Sequence, residues 1–135
     1  MNLAIAYWCV LIAAVLPLVW SGIAKPSGQK FDNRDPRGWL ARQDNPFSVR
    51  ANAAQLNAFE AFPTFAAAVV LAQLAGVDSG QIALLSIIFV VARVLHGVLY
   101  LAKRATLRSL AWAGGFLCVL GLLVQAALAV GTQTT

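Results

Sequence analysis

Residues 81–102 read QIALLSIIFVVARVLHGVLYLA, an apolar run long enough to cross a lipid bilayer as one helix. A helix rises about 1.5 Å per residue, so about 20 apolar residues span the hydrocarbon region. Arg93 is the single formal charge in this run, and His96 and Tyr100 follow it. A charge at that depth costs at least about 3 kcal/mol on insertion scales, so Arg93 is expected to be paired or functional.

Three further apolar runs of similar length accompany this one. Hydrophobic residues make up 60% of the chain, charged residues only 11%, and the mean hydropathy is +0.75. A soluble domain of 135 residues cannot bury so much apolar surface, and the runs do not alternate as barrel strands do. The sequence therefore predicts an all-α, integral membrane four-helix bundle, one domain over 1–135 with helices at about 3–24, 49–77, 80–103 and 108–131.

Basic residues are distributed to one side of the predicted bundle. Six of the ten Lys and Arg residues lie between 25 and 50, and three more lie between 103 and 108. By the positive-inside rule, loops 25–48 and 103–108 are cytoplasmic, and both termini are outside. The net charge of +5 is thus a topology signal, and no basic surface interleaved with aromatic residues indicates a nucleic-acid partner.

Glu60 is the other formal charge inside the four predicted spans, and it shares a helix face with Asn57 and Arg50. Glu60 lies ten residues from Arg50, and Arg93 lies ten residues from Lys103. If both helices start at the same membrane surface, Glu60 and Arg93 lie at equal depth, about 15 Å inside. A Glu60–Arg93 bridge is expected there, and a purely structural bridge that fixes how the two helices dock is the alternative to a functional one.

A polar cleft is expected on the cytoplasmic side of that pair. Arg93, His96 and Tyr100 follow the spacing of one helix face, and with Asn57 they would line a cleft that opens towards Arg50, Lys103 and Arg108. His96 is the only histidine, so no metal site is predicted. Cys9 and Cys118 lie in different spans without a CxxC motif, and they are expected to be small packing residues.

Residues 54–63, 93–100 and 104–109 together carry a family resemblance. They read AQLNAFEAFP, RVLHGVLY and RATLRS, which include the patterns N-x-x-E-x-x-P and R-V-x-H-x-x-x-Y. With four spans of matching topology, the chain resembles the membrane-associated proteins in eicosanoid and glutathione metabolism, the MAPEG superfamily, and is most similar to bacterial-type members. The resemblance implies a homotrimer that binds glutathione as co-substrate between subunits, near the cytoplasmic side.

The resemblance also implies a role for each polar residue. Asn57, Glu60, His96 and Tyr100 would contact or orient glutathione, Arg93 would brace Glu60, and Arg108 would stabilise the thiolate. The implied activity is that of a glutathione transferase or peroxidase, in which the thiolate attacks a lipophilic electrophile that enters from membrane lipid.

Two other classes of function remain open from the residues alone. One is a non-catalytic membrane scaffold or binding protein with the same fold. The other is a small multidrug transporter, which is also built of four short helices. Such transporters usually carry their membrane carboxylate in the first helix, and Leu3–Ala24 contains none.

Overall fold

The computed structural model describes residues 2–133 as four long helices and two short helical segments. They are α1 (Leu3–Ala24), a 3-10 turn (Lys25–Ser27), α2 (Pro36–Ala41), α3 (Pro46–Leu74), α4 (Ser79–Leu101) and α5 (Ala105–Gln133). The four long helices are each apolar enough to cross a membrane. The predicted all-α membrane four-helix bundle is confirmed, while the chain ends whose orientation the charge pattern predicts, Met1 and Thr134–Thr135, lie outside the described residues.

Helices α3 and α4 form the centre of the bundle. Helix α1 packs against α3 and α4 on one side, and α5 packs against the same two helices on the other. The Phe65 and Phe89 rings stack between α3 and α4 with centroids 3.9 Å apart. Ala68 and Ala72 are fully buried, as expected where small side chains let membrane helices approach closely. The two helices that carry most of the predicted site residues therefore contact both of the other long helices.

Helix α3 begins and ends earlier than the predicted range 49–77. It begins at Pro46 because the side-chain oxygen of Asn45 accepts two backbone N–H groups of the first turn, and proline is favoured at the first helical position. It ends at Leu74 because Gly76 adopts φ 78°, the left-handed conformation that closes a helix with backbone bonds to the preceding turn. The apolar run continues past this stop, so hydropathy alone misplaced the end.

The connection between α4 and α5 is a tight turn rather than the loop predicted at 103–108. Helix α4 ends at Leu101 and α5 begins at Ala105, with Lys103 between them at φ 59°. Lysine thus occupies the left-handed position that glycine usually takes after a helix. As a consequence, Arg108 lies on α5, and its side chain is fixed by the helix direction.

The segment between α1 and α3 folds back onto the bundle. Its short helix α2 is capped by Asp35, whose carboxylate accepts a backbone N–H of the first turn at 3.1 Å. Trp39 is buried, donates its ring N–H to the carbonyl of Lys30 at 2.8 Å, and meets the Phe31 ring edge-on. The segment around Trp39 is therefore a folded element.

The two cysteines are free and buried, and both belong to the main apolar core. Cys9 contributes from α1 and Cys118 from α5. They occupy packing positions, as the sequence predicts.

Candidate functional site

Arg93 lies in the interior of the bundle, on the face of α4 that meets α3. Only 4% of its surface is exposed, and its Nη2 donates a 2.7 Å hydrogen bond to the Oδ1 of Asn57. Its Nε has no hydrogen-bond partner. The guanidinium is therefore anchored to α3 at one end and has unused donor capacity at the other.

Glu60 does not pair with Arg93 within the chain, so the expected bridge is not formed inside one subunit. Within the described part of the chain, ion pairs occur only in the segment before α3, and neither Glu60 nor Arg93 takes part in one. The short amide of Asn57, three residues before Glu60, takes the guanidinium instead. The Glu60 side chain is exposed on the flank of α3 in the single chain. Glu60 and Arg93 nevertheless line one cavity.

This cavity, the aromatic cavity, lies between α3, α4 and α5 and has a volume of about 200 Å³. One side of it is polar, formed by Asn57, Glu60 and Arg93, and most of the rest is apolar, with three aromatic rings. It therefore offers a charged edge beside an apolar space. Its remaining lining residues are Ala61, Thr64, Phe89, Trp112, Phe116 and Val119.

A second cavity of about 230 Å³, the basic cavity, adjoins the first towards the α4–α5 turn. The guanidinium carbon of Arg108 lies 4.3 Å from the centroid of the Tyr100 ring, a distance at which a cation is attracted by the ring face. The His96 ring meets the Tyr100 ring edge-on at 5.6 Å. The cavity is lined by Asn57, His96, Tyr100, Arg108, Ser109 and Trp112, and it shares Asn57 and Trp112 with the aromatic cavity.

The α4 turn that carries His96 is held in place from the opposite side by α1. Gly97 is buried against the indole ring of Trp20, and a Cβ added at Gly97 would overlap that ring. Trp20 belongs to a small core cluster with Ala54 on α3, and Tyr100 packs against this cluster. His96 is 3% exposed, and its Nδ1 has no hydrogen-bond partner. The glycine therefore permits the close contact that fixes the direction of the site residues on α4.

Four of the predicted site residues converge as expected, and two predicted neighbours do not. Asn57, His96, Tyr100 and Arg108 line one cavity. Arg50 and Lys103, which were expected at its mouth, are absent from the lining of both cavities. The physical reason differs for the two residues. Arg50 lies over the ring of Phe47 near the start of α3, at 5.8 Å. Lys103 is exposed in the tight turn.

Trp112 is the site residue that the sequence interpretation missed. It lies four residues after Arg108 on α5, so both side chains share a face of that helix. That spacing was a usable signal, but only with α5 known to begin before Arg108. Because Trp112 lines both cavities, it forms part of the wall where they meet.

The charges of the two cavities are complementary to a zwitterionic ligand. The basic cavity contains the Arg108 guanidinium and no acidic residue in its lining, which suits a carboxylate or a thiolate. The aromatic cavity contains the Glu60 carboxylate, which suits an ammonium group, together with the Arg93 guanidinium and apolar rings. A ligand spanning both would meet a cation at one end and an acid at the other.

Comparison with known sequences identifies the family of the chain. Among curated proteins, none matches the chain. A sequence model of the MAPEG family matches residues 5–128, a range that contains every lining residue of both cavities. The chain therefore belongs to the MAPEG family, a family of integral membrane proteins associated with glutathione and eicosanoid metabolism.

Proposed function

We propose that the protein is a glutathione-dependent membrane enzyme, a transferase or peroxidase that acts on a lipophilic electrophile. The observation that carries this proposal is the convergence of Asn57, His96, Tyr100 and Arg108 on one cavity, with the Arg108 guanidinium held over the Tyr100 ring. The fixed cation suits an anionic nucleophile. The adjoining aromatic cavity suits an apolar substrate.

Glutathione fits the donor set of the two cavities. It carries two carboxylates, one ammonium group and one thiol. The guanidinium of Arg108 suits its anionic groups, and the carboxylate of Glu60 suits its ammonium. Asn57 lies at the junction of the cavities, where its side chain is already oriented by Arg93. The separation of Glu60 from Arg93 favours this assignment, because the carboxylate is not consumed by an internal ion pair.

When bound, glutathione supplies the sulfur nucleophile of the reaction. Arg108 would stabilise the thiolate, since a neighbouring guanidinium lowers a thiol pKa from its ordinary value of about 8.5. The ring face of Tyr100 attracts the Arg108 guanidinium and holds it in position. Phe89, Trp112 and Phe116 would exclude water from the aromatic cavity and contact the apolar part of the electrophile.

Two reaction classes are compatible with this arrangement. In transfer, a sulfur–carbon bond forms and the leaving group departs with its electron pair. In peroxide reduction, the hydroperoxide becomes an alcohol and water while two equivalents of thiol are oxidised to the disulfide. Both classes use the same cation.

We further propose that the enzyme assembles as a homotrimer with its basic loops in the cytoplasm of a bacterial cell and its termini in the periplasm. Glu60 supports self-assembly, because it is exposed in the single chain yet lies near the middle of a membrane-spanning helix. A carboxylate facing lipid at that depth costs about 3 kcal/mol, and a hydrogen-bonding or basic partner on a neighbouring subunit would offset this cost.

The test is a titration of the detergent-purified protein with reduced glutathione, followed by thermal stability and by thiolate absorbance. One-site binding predicts about 2.7 kcal/mol of stabilisation at a hundredfold excess over Kd. Glutathione disulfide and ascorbate serve as ligand controls. Arg108→Ala should abolish the thiolate signal without changing the oligomer, and Arg104→Ala, which removes an exposed cation one turn away, should retain it.

Three results would count against the proposal. A full thiolate signal in Arg108→Ala would show that the cation has been assigned to the wrong residue. No stability shift at millimolar glutathione would favour a non-catalytic scaffold or binding protein. Proton-coupled efflux that is lost in Glu60→Gln would instead indicate a small multidrug transporter.

A further inference from the structure

A third cavity, the lateral cavity, lies on a different face of α3. Its volume is about 590 Å³, and it is enclosed by the end of α1, by α2 and by the first turns of α3. Its contacts on α3 include Asn52, Gln55, Leu56 and Phe59, whereas the two site cavities use Asn57 and later residues. Successive helical residues turn by about 100°, so these two sets face in different directions. The lateral cavity is therefore separate from the proposed glutathione site.

The lining of the lateral cavity changes from cationic to apolar along the direction of the membrane normal. Lys25, which directly follows α1, and Arg37 on α2 lie at the end near the membrane surface. Leu56 and Phe59 lie further along α3, towards the membrane interior, and both are exposed. The cavity thus has a basic entrance and an apolar lower wall that is exposed on the surface of the chain.

Among the described residues, the two cations of this cavity take part in no ion pair. Asp32 forms an ion pair with Arg34 at 3.1 Å, and Asp35 forms one with Arg42 at 3.3 Å. The side-chain and backbone hydrogen bonds from Arg34 hold the pKa of Asp32 below its ordinary value, so that acid stays ionised and matched to its own partner.

Lys25 and Arg37, the two basic residues of the cavity, keep their charge available to a ligand. Among the described residues, Arg37 and Lys25 take part in no ion pair. Lys25 instead lies over the Phe31 ring, with its Nζ 4.6 Å from the centroid. That contact orients the ammonium without cancelling its charge.

We propose that the lateral cavity binds the headgroup of an anionic phospholipid from the leaflet beside the basic segment, with an acyl chain against Leu56 and Phe59. The two unpaired cations attract the phosphate, and Asn52 and Gln55 offer hydrogen-bonding side chains to a polar headgroup. The exposed apolar residues continue the site into the hydrocarbon region, where a free anion has nothing to contact.

This chemistry favours a lipid over the other possible occupants. Free phosphate would use the cations but leave the apolar wall uncovered. Glutathione lacks an acyl chain and would find no acidic partner for its ammonium in the lining of this cavity. A phospholipid offers a phosphate to the cationic end of the cavity and an acyl chain to its apolar end, and it is already present at that depth in the membrane.

The test uses the full-length protein in detergent, titrated with phosphatidylglycerol or with phosphatidylcholine of the same acyl chains, with bound lipid counted by native mass spectrometry. We expect saturable binding of phosphatidylglycerol only. Because each basic residue near an anionic membrane surface contributes about fivefold to binding, Lys25→Gln and Arg37→Gln should each weaken the apparent affinity by about that factor. Arg34→Gln is the matched control, because it removes a cation of the same segment that is paired with Asp32 and is expected to change the affinity less than twofold.

Each alternative outcome would overturn the assignment. Equal weakening by Arg34→Gln would mean that only the net charge of the segment matters. Equal binding of phosphatidylcholine would mean a non-selective lipid groove, and saturable binding of inorganic phosphate would mean an anion site. Displacement of the lipid by glutathione would assign this cavity to a glutathione site instead. A lipid count unaffected by either cavity variant would also contradict the proposal, and none of these readouts depends on enzyme activity.

Discussion

The Nη2 of Arg93 donates a 2.7 Å hydrogen bond to the Oδ1 of Asn57, which ties α4 to α3 inside the membrane-spanning bundle. Arg93 is only 4% exposed, and its Nε has no partner. A neutral amide therefore holds a buried cation. The amide avoids the desolvation of a second charge, and it leaves the carboxylate of Glu60 available to a ligand or a neighbouring subunit.

Replacing Asn57 with Ala should destabilise the bundle. The substitution removes the side-chain hydrogen bond of a buried guanidinium, and a hydrogen bond to a charged group contributes about 1.5–3 kcal/mol. We expect a loss of that size in the free energy of unfolding, measured in mixed detergent micelles. Asn52→Ala is the control, because it makes the same change five residues earlier on α3, at a side chain with no such bond to α4. Equal losses in the two variants would show that the contact contributes nothing specific.

The membrane bundle and the convergence of the polar residues could be predicted from the sequence. Apolar runs of about 20 residues constrain a chain to membrane-spanning helices, because backbone polar groups cannot remain unpaired in lipid. The spacing of Arg93, His96 and Tyr100 then places them on one face of α4. The face of α3 that carries Asn57 was found by the same periodicity, so these residues were expected to meet.

The helix ends and the partner of Arg93 could not be predicted in this way. Hydropathy does not register the left-handed conformations of Gly76 and Lys103 that end α3 and α4. With the start of α5 placed too late, Arg108 was assigned to a loop and Trp112 was missed. Periodicity also cannot distinguish which of two polar residues one turn apart accepts a guanidinium, because that depends on side-chain length and local packing.

Replacing Gly97 with Ala should weaken the packing of α4 against α1 and lower the free energy of unfolding. The added methyl group would overlap the indole ring of Trp20, and overpacking a close helix contact costs about 1–3 kcal/mol. The prediction is checked by the free energy of unfolding and by a double-mutant cycle with Trp20→Leu, in which the combined loss should be smaller than the sum. Gly114→Ala is the control, since no atom lies near its added Cβ, and it should be neutral or slightly stabilising. An additive cycle would contradict a direct contact.

Replacing Lys103 with Gly should stabilise the α4–α5 turn. A left-handed backbone costs an L-residue with a side chain about 1 kcal/mol, and glycine does not have this cost. We expect an increase of about that size in the free energy of unfolding. Lys103→Ala removes the same charge but keeps a Cβ, so it should give no such gain. A gain in both variants would attribute the effect to the lost charge and not to the backbone.

Replacing Tyr100 with Leu should weaken glutathione binding, because the Arg108 guanidinium would lose the ring face beneath it. A partly buried cation–π contact contributes about 1 kcal/mol, so the Kd should rise about fivefold. Tyr100→Phe keeps the ring and should stay within about twofold of the parent protein. Phe47→Leu removes the ring beneath Arg50, outside both site cavities, and should leave the affinity unchanged. If Tyr100→Phe weakens binding as much as Tyr100→Leu, the phenol hydroxyl contacts the ligand directly, and the ring is not the main support of Arg108.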